Sequence, residues 1–144
     1  MSETIIEHKI DGSGVVSGFS YHDGYLAGFS VHDDLIVFVV LSTLGDVFNI
    51  RVRDVYDFCV SDYWNGAIVS DMKIWNLSTV PISSIDTKSG LGHLYEGRLI
   101  SNNISVIINK YLKQNANTIL FQLDCSYGGR FSCLCAEVQV LRIC

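Results

Sequence analysis

Two His-Asp pairs, His22-Asp23 and His32-Asp33, and a Cys133-x-Cys135 sequence are the residues in this 144-residue chain whose types and spacing could do chemistry. Imidazole and carboxylate together ligate zinc, manganese or iron. The two pairs stand at opposite ends of a stretch that reads as one strand, and at ~3.3 Å rise per residue they are held roughly 30 Å apart. One ion cannot bridge them. His8 and His93 are the other imidazoles, and nothing in their spacing ties them to either pair. The plainer role for Asp23 and Asp33 is to fix turns through side-chain hydrogen bonds to the backbone. Cys133 and Cys135 share one face of a strand, but a structural zinc needs four ligands. Gln122 and Asp124 are the expected neighbours of these thiols, with Cys125 on the opposite face. Cysteines stand at 59, 125, 133, 135 and 144, an odd number at irregular spacing, which predicts reduced thiols outside any recognisable nucleophile motif. No cofactor is expected.

A second kind of site is an interface. Tyr63, Trp64 and Trp75 gather around Asn65-Gly66, and rigid aromatics beside a turn anchor partners or finish a core. Asp54, Asp57, Asp62 and Asp71 fall along the same pair of expected strands, where they would present a negative patch or guard an edge. The candidate partner-binding residues are Asp62, Tyr63 and Trp64 here, together with Tyr21, His22 and Asp23 of the aromatic-His-Asp element.

The elements that position these groups are mostly strands. Residues 25–32 and 35–41 form a hairpin if Asp33-Asp34 is a two-residue turn, with Val31 facing Ile36, Phe29 facing Phe38 and Ala27 facing Val40. The second of these strands is apolar on both sides, so a second covering element is expected over it. Residues 47–53 alternate as a half-exposed strand. Strands at 55–61 and 67–75 flank Asn65-Gly66, the strongest hairpin signal in the chain, and extend a five-strand meander. Residues 76–92 read as a surface connection, extended through 80–85. Ser101 or Asn102 can cap a helix whose Ile104, Ile107, Ile108, Tyr111 and Leu112 make one apolar face. Strands at 118–125 and 131–143 close the chain around Gly128-Gly129. The expected fold is a β-rich α+β domain spanning residues 1–144. It has a twisted antiparallel sheet or partly closed barrel of about six or seven strands, one covering helix, and residues 1–20 as a flexible lead-in.

Composition narrows function. Hydrophobic residues are 49% and charged residues 17% of the chain, which favours a packed core and leaves apolar surface exposed. A formal net charge of −5 offers no footprint for a phosphate backbone, so nucleic acid is not an expected partner. No apolar run reaches the ~18–20 residues of a membrane span, and no signal sequence opens the chain, so a cytosolic protein is expected. Gly12-Ser-Gly-Val-Val-Ser-Gly18 lacks the dinucleotide-binding spacing, and the Asn-x-Ser sequences at Asn76 and Asn103 carry no meaning in the cytosol.

Tyr-His-Asp-Gly-Tyr at 21–25, the Asp-x-x-x-Gly segment at 62–66, and Ser-Tyr-Gly-Gly followed by Cys-x-Cys across 126–135 resemble a broad group of small bacterial β-rich proteins. Some members of that group are similar to immunity proteins that neutralise polymorphic toxins. The chain departs from the group in Gly-Leu-Gly-His-Leu-Tyr-Glu-Gly at 90–97. The resemblance implies a β-rich fold and protein binding, and no catalytic residues. The leading expectation is thus a non-enzymatic cytosolic protein-binding domain of the immunity type. The alternatives are a metal-binding or hydrolytic domain using His22 and Asp23, and a subunit of a homo-oligomer.

Overall fold

A computed structural model describes residues 2–64, 66–79, 91–94, 104–126 and 128–144. Period-two alternation interrupted by Asp and Gly turns gives strands β1 (Glu3–Ile6), β2 (Lys9–Ile10), β3 (Val16–Ser17), β4 (Tyr25–His32), β5 (Leu35–Leu41), β6 (Val47–Arg53), β7 (Asp57–Ser61), β8 (Ile68–Asn76), β9 (Ile119–Ser126), β10 (Arg130–Cys135) and β11 (Glu137–Ile143), with helices α1 (Leu91–Leu94) and α2 (Ile104–Gln114). Nine strands make one antiparallel sheet in the order β1-β11-β6-β5-β4-β8-β9-β10-β7, and β2-β3 is a separate ribbon. The sheet has two ends and is not a closed barrel. It exceeds the expected six or seven strands because β1 joins the edge beside β11 and because the expected 131–143 strand divides at Ala136.

That division folds the sheet. Ala136 N donates to Arg53 O at 3.1 Å and Tyr56 N to Leu134 O at 2.8 Å, so the β6–β11 ladder passes into the β7–β10 ladder across a bend. Asp54, at φ 53°, supplies the irregular backbone there. The two halves then enclose a common core. Phe38 of β5 meets Phe121 of β9 at 5.7 Å and Phe131 of β10 at 5.1 Å between ring centroids, and Phe48, Ile50 and Val52 of β6 are fully buried beside them.

Several sequence expectations give way to long-range packing. β4–β5–β6 is a meander, with Val31↔Ile36 and Phe29↔Phe38 as expected, but a bulge shifts the register between Leu26 and Gly28. Leu26 consequently pairs with Val40 and is buried, while Ala27 turns outward. β7 and β8 do not form a hairpin: β7 lies on β10 at the sheet edge, and β8 lies between β4 and β9. Val60 of β7, and Val69 and Met72 of β8, gain the core only in these separate places, and that burial outweighs the local Asn-Gly turn preference.

In the last hairpin Phe121 pairs with Cys133 and Leu123 with Phe131, whereas the expected Gly128-Gly129 turn sets Asp124 opposite Cys133, so the register is shifted by three residues. Because side chains alternate strictly, an odd shift moves Cys133 and Cys135 into the core and turns Leu134 and Ser132 to the face under the helices.

The helices cover the outer face of the β8-β9-β10-β7 half, not β5 as expected. Ile108 and Tyr111 of α2 and Leu91 and Leu94 of α1 bury Leu120, Leu134 and Leu77, with Trp75 and Cys59 at the margin. Ile107 and Leu112 are partly buried and Ser105, Asn109, Lys110 and Lys113 face water, as the period-3.6 pattern predicts. Asn115 ends α2: its side chain accepts from Asn117 N at 2.9 Å, and the buried Thr118 hydroxyl donates to Asn115 O at 2.6 Å. The expected cap at Ser101 or Asn102 and the extended passage at 80–85 lie outside the described residues.

Residues 1–20, expected as a flexible lead-in, carry β1 and the β2–β3 ribbon. The ribbon rests on β8 through a Val15–Lys73 bridge, and Gly14 lies so close to the Trp75 ring that a Cβ there would come within 2.8 Å of it.

Candidate functional site

The expected partner-binding residues divide between core and surface. Tyr21 is 4% exposed, its ring packs on Phe19 and its hydroxyl donates to Val16 O, so it belongs to the core and not to an interface. Burial, and next the charge of Asp71, push its phenol above the usual value. Tyr63 likewise turns inward, meeting Phe29 at 5.4 Å and Phe131 at 5.8 Å. Three of the remaining four belong to turns. Asp23 has φ 62° and its backbone N donates to Val69 O, while the exposed His22 Nδ1 lies 3.3 Å from Asp23 Oδ2. Asp62 has φ 55°, and its carbonyl lies against Gly128. Trp64, 47% exposed, covers Gly66. Aspartate tolerates the left-handed conformation better than most side chains, which explains why Asp23, Asp33, Asp54 and Asp62 occupy it.

Among the described residues no three His, Cys, Asp or Glu side chains converge as a metal-binding group. Cys133 and Cys135 are core thiols. Burial, the largest cause in each case, raises Cys125 to about 11, Cys135 to about 12 and Cys133 further still. Asp71 is drawn to Lys73 at 3.5 Å on β8, and with β7 and β8 apart the expected acidic patch of Asp54, Asp57, Asp62 and Asp71 does not assemble.

A different surface does. On the outer face of the other half, Leu41 pairs with Tyr25 of β4 and with Val47 of β6, and Val47 pairs with Ile143 of β11. The next row runs Gly28, Val39, Asn49, Leu141 and Ile5. Leu41 is 38% exposed, Ile5 63% and Leu44 of the β5–β6 turn 77%. Ser42 shapes that turn, its hydroxyl accepting from Leu44 N and Asp46 N. Along the strands the face becomes polar through Arg51, Gln139, Ser30 and His32. It ends at Asp33, Asp34 and Asp54, all exposed and joined where Val55 N donates to Asp34 O at 2.9 Å. Arg51 is already engaged by Glu3 at 2.8 Å. Among the described residues neither helix lies on this face; α1 contacts β10 and β7.

Under the helices, sequence reasoning missed a buried polar cluster. His93 of α1 is 4% exposed; its Nδ1 lies 2.8 Å from Ser132 Oγ, and its Nε2 lies 2.9 Å from Ser61 Oγ and 3.7 Å from Cys59 Sγ. Next to it Gln122 Nε2 donates to Asp124 Oδ2 at 2.8 Å, and the buried Asp124 Oδ1, with no hydrogen bond among the described residues, lies 3.3 Å from Arg130 Nε. Only a correct β9–β10 register puts Ser132 outward, so no local signal marked the cluster.

Comparison with protein-family models, with curated proteins and with solved structures finds no match. No helix among the described residues is long and apolar enough to cross a membrane.

Proposed function

We propose that this chain is a non-enzymatic, cytosolic protein-binding domain that docks a basic protein through the outer face of β4, β5, β6 and β11. The supporting observation is an asymmetry: the helices bury one half of the sheet's outer face, while the other offers an apolar field around Leu41, Val47 and Leu44 that runs into the Asp33-Asp34-Asp54 rim. Apolar contact supplies affinity, and the acidic rim on a chain of net charge −5 selects a basic partner and speeds its approach. Four strands at ~4.8 Å spacing and about seven residues of ~3.3 Å rise give on the order of 450 Å² before side-chain relief, roughly half the ~800 Å² per partner of a standard interface, with the exposed Leu44 turn and Ile5 adding to it. The resemblance to immunity proteins is consistent with a toxin domain as that partner, blocked by being covered.

Immobilised protein is to be compared with its Leu41→Asp and Asp33→Asn/Asp34→Asn/Asp54→Asn variants for capture from a lysate of the source cells. The expected result is one basic protein whose capture is lost with Leu41→Asp, weakened by the triple variant and by salt, and kept by Val106→Asp on the exposed side of α2. Capture indifferent to these variants contradicts the proposal. So does a dimer in light scattering that Leu41→Asp dissolves, because the face would then serve a second copy.

A further inference from the structure

The geometry points to Cys59 as a nucleophilic thiol, served by His93 as base with Ser132 as its positioning residue, and open to covalent modification by small acyl or alkyl electrophiles. Cys59 pairs directly with Ser132 across β7 and β10, and Ser61 follows two residues later on the same face, so the sheet register fixes three of the four groups. His93 closes the set from α1. With its proton on Nδ1 donated to Ser132 Oγ at 2.8 Å, Nε2 presents one lone pair to both Cys59 Sγ at 3.7 Å and Ser61 Oγ at 2.9 Å. A nucleophile, a base within reach of it and a third group orienting the base are the parts of covalent catalysis. Sulfur is the better nucleophile, since a free thiol ionises near ~8.5 and a hydroxyl far higher. Cys59 is half-buried, whereas Cys125, Cys133 and Cys135 are buried within the core.

The step balances without an outside oxidant. Nε2 takes the Cys59 proton, and the sulfur lone pair attacks the acyl carbon and forms the S–C bond. The leaving alcohol or thiol departs with the bonding pair and receives the proton from His93. With iodoacetamide the S–CH2 bond forms, iodide leaves and the proton passes to water.

The test is alkylation of the native full-length protein by iodoacetamide at neutral pH, followed residue by residue by peptide mass, with the exposed Cys144 as internal reference. Cys59 is expected to react about tenfold faster than Cys144 despite its burial, and His93→Gln to bring it to the Cys144 rate or below. Ser61→Ala, by removing the competing hydrogen bond to Nε2, is expected to raise the Cys59 rate about two- to threefold. A wild-type Cys59 no faster than Cys144, or one unchanged in His93→Gln, overturns the assignment. Should circular dichroism find His93→Gln unfolded, Ser61→Ala decides: a faster Cys59 supports the base, and an equal or slower one overturns it.

Discussion

Asp54 carries a larger share of the architecture than its type suggests, because its φ of 53° lets the β6 ladder bend into β7. Replacement by glycine relieves the left-handed backbone and is expected to leave stability within about 0.5 kcal/mol of wild type. A β-branched residue there meets the full steric cost, so Asp54→Val is expected to lose about 1–2 kcal/mol in urea denaturation. Equal midpoints for the two variants would remove Asp54 from that role. At this scale the sequence was partly legible. It marked Asp23 and Asp33 as turn residues and put Asp62 at the head of the 62–66 connection, but gave no backbone role to Asp54, whose conformation answers to strands distant in the chain. His93 was visible only as a fourth imidazole, because its neighbours Ser61 and Ser132 come from two other elements.

At the scale of elements, α2 depends on its inner face for attachment. Ile108→Ala removes a side chain buried against Leu120 and Leu134, and about 2–5 kcal/mol is expected to be lost. Hydrogen exchange should quicken through 104–114 before it does in β5 and β6; uniform quickening would mean that the helix and sheet unfold as one unit. β9 and β10 also set an alkaline limit. Their buried thiols stay protonated in the folded chain, with Cys125 raised to about 11 and Cys135 to about 12, whereas the unfolded chain releases these protons near the ordinary value of 9.0. The unfolded state then binds fewer protons, so stability falls as pH rises from about 9 towards 11 and beyond. Cys125→Ala/Cys135→Ala is expected to reduce that loss between pH 8 and pH 10.5, although the buried Cys133 and Tyr21 keep part of it. An undiminished slope would exclude Cys125 and Cys135 as its source. The helix was legible because its 3.6-residue pattern is local. The β7–β8 pairing was misread because a strong Asn-Gly turn signal describes only neighbours in sequence, and the burial that separated the strands is not encoded beside it.

For the whole molecule, the sequence conveyed a β-rich fold and too few charges to cover its surface, but not which surface stays bare. That depends on where α2 lands. The two-sided apolar pattern of β5 suggested a helix above it, yet the strands that receive the helices are β9 and β10, whose outer residues Leu120 and Leu134 are more completely buried than Val37 or Val39. A face around Leu41 that neither described helix covers is the consequence, and with Asp33, Asp34 and Asp54 at its end it is the basis of the proposed docking. Leu41→Asp should leave the urea midpoint nearly unchanged, since the side chain is 38% exposed. The most direct measurement is the affinity of wild type and Leu41→Asp for the captured basic protein in the same buffer. Docking through this face predicts at least a ~100-fold weaker complex for the variant, or about 2.7 kcal/mol; equal affinity for the two proteins would contradict it.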